Sequence, residues 1–168
     1  DMLADLKSGE YGIHASNLGG VLANLLAKEA CCPAFIVDPV VVDELTPVAR
    51  LTGLPEMPRQ CIFHALNQKA IAKMYAGSES KRYEDINLIV AHLGGGVSVG
   101  VHKNGRVIDV NNALNGEGPF SPERSGTLPV LALAELCFSG KFTLQQIKKM
   151  IAGEGGIVAH LGTNSFNE

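Results

Sequence analysis

The stretch that most constrains the fold is residues 86–129, where strand patterns flank three successive glycines. An apolar run ends at the sequence HLGGG (residues 92–96), and Asn104-Gly105 is a strong signal for a two-residue hairpin turn. The pattern predicts three strands, at residues 86–91, 97–102 and 106–110. The sequence therefore predicts an antiparallel meander whose first turn is almost entirely glycine.

A glycine turn of this kind is costly unless the backbone must come close to something. Consecutive backbone amides form a concavity that suits an anion. A second glycine-rich loop follows the strands and contains Arg124, whose guanidinium suits phosphate or carboxylate. The alternative from spacing alone is a tight hairpin beside an ordinary surface arginine.

Composition narrows the class of protein. The chain has 168 residues, 46% of them hydrophobic and 18% charged, as in ordinary globular proteins. A net charge of −3 gives no basic field for nucleic acid and no polybasic patch for a membrane. The four cysteines lack metal-ligand spacing, so we expect reduced, buried thiols and a cytoplasmic protein with no signal peptide.

The first fifty residues predict helices and one strand. A first helix should stop at Ser8-Gly9, and Ser16 or Asn17 should cap a second. The second helix has an apolar face made of Leu18, Val21, Leu22, Leu25 and Leu26. Residues 34–37 predict a short buried strand that ends at Asp38, where α/β folds place ligand chemistry.

Asp38 has two interpretations. It can cap a turn with Pro39, or it can act at a site beside the strand. Asp43 and Glu44 could add carboxylate oxygens, but we expect them to be solvated. Asn17 is expected to cap the second helix, and His14 is expected to be structural.

Further helices are predicted along the rest of the chain. Thr46-Pro47 should begin a short helix closed by Gly53, and His64 should precede a helix with Leu66, Ile71, Met74 and Tyr75 as apolar members. An apolar helix is predicted at residues 130–138. Thr143 and Gln146 form a capping box for the next helix, in which Lys148 and Lys149 are solvated.

Several separate motifs resemble the acetate/butyrate kinase family, on its butyrate and branched-chain fatty acid kinase side. They are VDPVVVDELTP, IFHALNQKA, HLGGGVSVG and VIDVNNALNGEGPFSPERSGTLP. The resemblance implies ATP-dependent phosphorylation of a short-chain carboxylate to an acyl phosphate. It also implies the α/β, actin-like (ribonuclease H-like) two-domain fold shared with sugar kinases and chaperone ATPases.

The same resemblance implies roles for individual residues. Arg124, His64 and Asp38 would be catalytic, with Asp38 acting through Mg²⁺. Asn17 lies where the family has a substrate-side loop, so it can contact substrate, although helix capping is the simpler role. The ATP or ADP phosphates would lie against the hairpin turn, and the residues expected to contact them are His92, Gly94, Gly95, Gly96 and, more weakly, Ser98. A homo-oligomer is expected by analogy, with no nucleic acid or membrane partner.

Some positions depart from the acetate kinase pattern. Ser16 and Gln68 stand where acetate kinases carry histidines, and HLGGG replaces HLGNG. Family members are about twice this length, so the chain resembles an internal fragment, inactive alone, of a first domain (residues 1–50) and a second, nucleotide-binding domain (residues 51–168). The alternatives are an acetate or propionate kinase, and a non-enzymatic nucleotide-binding module of the actin or chaperone type.

Overall fold

The computed structural model describes residues 2–9 and 16–165. These residues form helices and one antiparallel sheet, with 3₁₀ turns at Val48–Arg50 and Tyr83–Asp85. The helices are α1 (Met2–Ser8), α2 (Ser16–Ala30), α3 (Ala65–Ser78), α4 (Val130–Phe138), α5 (Leu144–Ile151) and α6 (Ile157–Leu161). The strands are β1 (Leu88–Leu93), β2 (Val97–Lys103) and β3 (Arg106–Val110). His14 lies outside the described residues.

The predicted meander is confirmed. The strand order is β1-β2-β3, and both pairs are antiparallel. Asn104 and Gly105 both have positive φ, 52° and 73°, as a two-residue hairpin turn requires. β1 begins and ends two residues later than predicted, so His92 and Leu93 belong to the strand and the turn shrinks to the three glycines.

The main core lies between β3 and the segments before α3. Phe63, Val107 and Val110 are buried with Leu45, Cys61 and Ala65 in one cluster. A second cluster joins α3 to the sheet through Ala72, Ala76 and Tyr83. The short helix predicted after Thr46-Pro47 is present only as the 3₁₀ turn, which the Thr46 hydroxyl caps by accepting the Ala49 amide at 3.3 Å.

The predicted apolar face of α3 is wrong. Leu66, Ile71, Met74 and Tyr75 are all exposed. The buried face instead carries small and polar residues, namely Ala65, Gln68, Lys69, Ala72 and Ala76. Alanines let the helix approach the sheet closely, and the two polar side chains are buried because they have hydrogen-bonding or ionic partners.

The strand predicted at residues 34–37 is also wrong. The segment forms no strand and Phe35 is 80% exposed. A strand needs a neighbour to satisfy its backbone groups, and within the described residues none pairs with this segment. The apolar face predicted for α2 is likewise largely exposed, although the helix itself is confirmed and packs against α1.

The C-terminal part follows the prediction closely. α4 has the predicted bounds, and the capping box of α5 is present, with Gln146 donating its amide to the Thr143 hydroxyl. Lys148 and Lys149 are exposed as predicted. α4 buries none of its residues, and Phe138 is 93% exposed.

The cysteine prediction holds only in part. All four thiols are free, but Cys31, Cys32 and Cys137 are exposed and only Cys61 is buried. Burial raises the pKa of Cys61 to about 11, so its thiol stays protonated. In the described part of the chain, no helix combines the length and the apolar character needed to cross a bilayer.

Candidate active site

Side chains from other segments lie very close to the backbone of the turn between β1 and β2. Gly94, Gly95 and Gly96 all avoid positive φ. A Cβ added to Gly96 would overlap Nη1 of Arg124 and would lie 3.2 Å from Cε1 of His64. A side chain at position 96 would therefore displace the guanidinium of Arg124 from the backbone of the turn. The amide of Gly94 donates to the carbonyl of Gly96 at 3.2 Å.

Arg124 is held against this turn by the end of α5. The amide of Ser125 donates to the carbonyl of Ile151 at 2.9 Å, and the amide of Gly153 donates to the carbonyl of Glu123 at 2.7 Å. The guanidinium donates to the carbonyl of Ala113 at 2.6 Å. These contacts fix the arginine loop against the end of α5 and against Ala113, and from there the guanidinium reaches the backbone of Gly96 in the glycine turn.

The charge of Arg124 is not neutralised within the described residues, where no carboxylate forms an ion pair with it. Burial lowers the pKa of Arg124, but a guanidinium remains charged at neutral pH. A partly buried cation without a carboxylate partner is a favourable place for an anion. Arg124 also lines a cavity of about 100 Å³ whose other walls are Val40, Ile62, Phe63, His64, Ala113 and Leu114.

His64 and His92 lie on the same side of the turn. His64 directly precedes α3, as predicted, and its ring stacks on His92 with centroids 3.7 Å apart and planes at 8°. Nδ1 of His64 lies 2.9 Å from the Ser98 hydroxyl. Asn67 donates its side-chain amide to Nδ1 of His92 at 2.8 Å, and burial lowers the pKa of His92, which favours its neutral form.

Ser98 is fully buried, and its hydroxyl contacts His64 and Gln68. The nucleotide contact expected from the sequence would have to displace one of these side chains. Asn17 is the second residue of α2, and its amide donates to the carbonyl of Leu6 at 3.3 Å, which links α2 to α1. Its substrate role stays a prediction.

Asp38 belongs to a charged cluster under α3. It adopts a positive φ of 43°, and its carboxylate lies 3.5 Å from Nζ of Lys69. Glu44 accepts from Lys69 at 2.7 Å and from the Val107 amide at 2.7 Å. Burial opposes ionisation of Glu44, but these two hydrogen bonds together with the positive charges of Lys69 and Arg106 lower its pKa. The expectation that Glu44 is solvated is therefore wrong, whereas Asp43 is exposed and pairs with Arg50.

The residues that sequence reasoning missed are polar side chains buried behind the site: Gln68, Lys69, Tyr83 and His102. One signal was available, because Ser98, Gly100 and His102 alternate along β2 and so share a face of the sheet. Two polar residues on a buried face imply partners from another element. The sequence did not reveal that α3 supplies them.

Comparison with known proteins identifies the family of the chain. The sequence model of the Acetokinase family matches residues 56–166. Butyrate kinase 2 of Clostridium acetobutylicum is 63% identical over 164 residues, which cover 98% of this chain and 46% of that protein. The Probable butyrate kinase of Phocaeicola vulgatus is 68% identical over 151 residues, covering 90% of this chain and 43% of that protein. The chain thus spans less than half the length of these relatives.

Solved structures confirm the predicted fold class. Porphyromonas gingivalis acetate kinase matches with a TM-score of 0.78 at 20% identity, over 99% of this chain and 44% of that one. Entamoeba histolytica acetate kinase matches with a TM-score of 0.76 at 17% identity, over 98% of this chain and 45% of that one. At this identity the likeness shows the fold alone. With the family match covering well over half of its residues, the chain belongs to the Acetokinase family.

Proposed function

We propose that the full-length protein transfers the γ-phosphoryl group of ATP to a short-chain carboxylate such as butyrate or isobutyrate. The observation that carries this proposal is Arg124, a half-buried cation without a carboxylate partner in the described part of the chain, pressed against a glycine turn. Relatives that are 63% and 68% identical carry the name butyrate kinase. The whole catalytic unit is longer than this chain.

The protein itself takes little part in the bond making and breaking of this reaction. A carboxylate oxygen attacks the γ-phosphorus, the bond from that phosphorus to the ADP oxygen breaks, and acyl phosphate and ADP are formed. The carboxylate is already a nucleophile at neutral pH, so no general base is needed. The protein must instead bring two anions together and stabilise charge on the moving phosphoryl group.

Each site residue has a place in this scheme. Arg124 would meet the acyl carboxylate or the equatorial phosphoryl oxygens, and His64 would donate to the same oxygens. His92 and the amides of Gly95 and Gly96 would contact the nucleotide phosphates, and the amide of Gly94 would join them only by leaving the carbonyl of Gly96. The stacking of His64 on His92 and the contact of Arg124 with Gly96 support this grouping.

Magnesium is compatible with the residues present. Within the described residues no three His, Cys, Asp or Glu side chains converge on a metal position. Mg²⁺ at nucleotide sites ordinarily keeps several waters and uses one or two carboxylates with substrate phosphates, so Asp38 alone is a sufficient protein ligand. When bound, the ion would supply charge neutralisation between the phosphates. Lys69, 3.5 Å away, would orient the Asp38 carboxylate.

The cavity beside Arg124 favours a kinase over a nucleotide-binding scaffold. Its volume is about 100 Å³, and most of its walls are apolar. A short aliphatic tail would fit there with its carboxylate at Arg124. A module that only binds nucleotide would need neither this cavity nor His64 and Arg124 at one phosphoryl position.

Domain division, location and assembly complete the proposal. A boundary near residue 50 is supported by the packing of α1 on α2. Leu45 nevertheless packs with Phe63 and Val107, so the segment before the boundary is anchored to the second unit. A cytoplasmic homo-oligomer that binds neither nucleic acid nor membrane remains part of the proposal, and size-exclusion chromatography with light scattering tests the assembly.

Trapping of acyl phosphate with hydroxylamine tests the activity. The full-length protein would be incubated with Mg-ATP and with acetate, propionate, butyrate or isobutyrate in parallel. Fastest trapping with the four-carbon acids is the expected result. Preference for acetate or propionate would move the protein to the alternative substrate class, and ATP binding without any trapped product would favour the non-enzymatic module.

A further inference from the structure

A continuous chain of polar side chains runs from His64 into the interior of the protein. It passes through Ser98 and Gln68 to His102 and Tyr83. Ser98, Gln68 and His102 are fully buried and Tyr83 nearly so. Buried polar groups must satisfy one another, so the chain determines which atom carries each proton.

The direction of Gln68 is determined by a carbonyl. Its Nε2 lies 3.0 Å from the carbonyl oxygen of Ser98, which can only accept, so the nitrogen must face it. The second N–H of the same amide points to the Ser98 hydroxyl at 2.8 Å. Oε1 of Gln68 is then left facing Nε2 of His102 at 3.0 Å, so that nitrogen of His102 carries a proton.

At the inner end of this chain of polar side chains, His102 and Tyr83 are both uncharged. Burial lowers the pKa of His102 and raises the pKa of Tyr83 to about 12, so both are neutral at pH 7. With its proton on Nε2, His102 accepts the Tyr83 hydroxyl at Nδ1, over 2.7 Å. Every donor at this end therefore has an acceptor.

At the outer end of this chain of polar side chains, the hydrogen bond with Ser98 determines which ring nitrogen of His64 carries a proton. The Ser98 oxygen already accepts from Gln68, and its own proton needs an acceptor in a site without water contact. Nδ1 of His64, 2.9 Å away, fills that need only if it carries no proton. A proton on Nδ1 would aim two N–H groups at one oxygen and leave the serine proton without a partner.

We infer that Ser98 and Gln68 are positioning residues that hold His64 as a neutral imidazole with its proton on Nε2. His64 then meets the transferred phosphoryl group as a hydrogen-bond donor, and Arg124 supplies the positive charge. The identity of the group that Nε2–H meets rests on the proposed function, whereas the tautomer rests on the hydrogen bonds alone. This assignment gives Ser98 a role behind the site instead of a contact with nucleotide.

Nitrogen NMR reads the tautomer directly. The full-length protein would be labelled with ¹⁵N-histidine, and the His64 signals would be identified by their loss in His64→Gln. At neutral pH we expect one protonated and one unprotonated ring nitrogen, with the proton on Nε2. A proton on Nδ1, or an imidazolium with both nitrogens protonated, would overturn the inference.

A matched pair of hydroxyl deletions separates positioning from packing. Ser98→Ala removes the bond to His64, and Tyr83→Phe removes a bond at the opposite end of the same chain. Ser98→Ala should give a mixture of His64 tautomers and lower kcat about tenfold with KM for ATP unchanged. Tyr83→Phe should change neither. Equal losses of kcat in both variants, with an unchanged His64 spectrum, would contradict the inference.

The two proposals fail separately. If no carboxylate is phosphorylated but His64 shows the expected Nε2 proton, the proposed function is wrong and the tautomer assignment stands. If acyl phosphate forms and His64 is an imidazolium, the function stands and the role of Ser98 is wrong.

Discussion

Helices α2 and α3 have opposite relations between sequence pattern and burial. α2 has a clean apolar stripe, yet Leu18, Leu22, Leu25 and Leu26 are more than half exposed. α3 has buried Gln68 and Lys69 on its inner face, while its large apolar residues face outward. Hydrophobic periodicity therefore located both helices, but the inner face of α3 is set by the hydrogen bonds and ion pairs that support the site.

The largest expected effect on stability comes from removing Lys69, the cation of the charged cluster under α3. Lys69 is 8% exposed and contacts both Asp38 and Glu44. Lys69→Met would leave two carboxylates without their cation and should lower the free energy of unfolding by about 3 kcal/mol. Lys73→Met, at an exposed position of the same helix, is the control and should change it by less than about 0.5 kcal/mol. Urea denaturation of both variants would measure the contrast, and equal losses would show that α3 is not held by this cluster.

Local features of the fold and of the site could be predicted from the sequence, whereas contacts between segments that are distant in sequence could not. The glycine turn and the Asn104-Gly105 hairpin are local signals, and the structure confirms both, whereas the role of Arg124 stays a prediction. The burial of Gln68 and Lys69 depends on partners from β2 and from the segment around Glu44, which are distant in sequence. The failed strand at residues 34–37 has the same cause, since an apolar run does not specify a neighbour.

A smaller effect is expected where β2 meets α3. Gly100 lies against Gln68, and an added Cβ would overlap Oε1 of that side chain and lie 3.3 Å from Nε2 of His102. Gly100→Ala should cost about 2 kcal/mol because the buried hydrogen bond must break or the helix must shift. Gly77→Ala in α3, where nothing lies within 4 Å, should be neutral or slightly stabilising. A neutral Gly100→Ala in thermal unfolding would show that the contact is loose.

The pH dependence of stability should report the half-buried His92 and the buried His102. Burial lowers the pKa of His92 and of His102, so the folded protein favours their neutral forms. The unfolded chain takes up protons as the pH falls through about 6.5. The contribution of these two histidines to stability is therefore complete above that pH and is lost below it. Each histidine contributes a slope of at most about 1.4 kcal/mol per pH unit. His102→Gln should flatten the fall in Tm between pH 7 and pH 5, and an unchanged slope would contradict this.

The smallest expected effect is that of Met74→Ala, which compares the outer face of α3 with its inner face. Met74 is 70% exposed and Ala72 is 0% exposed. Met74→Ala should change the free energy of unfolding by less than about 0.5 kcal/mol, whereas Ala72→Leu should cost about 1–3 kcal/mol by overpacking. The reverse order in chemical denaturation would mean that the face predicted from hydrophobic periodicity packs against another part of the full-length protein.

The most direct test of the central claim is the activity of Arg124→Ala in the full-length protein, measured by acyl-phosphate trapping with butyrate and Mg-ATP. An arginine that meets the charge of a transferring phosphoryl group contributes about 10³-fold or more, and we expect a loss of that size in kcat/KM. Lys148→Ala, an exposed cation on α5, should retain full activity. A loss below about tenfold for Arg124→Ala, set against that 10³-fold expectation, would contradict the account and leave the guanidinium as a structural support for the glycine turn.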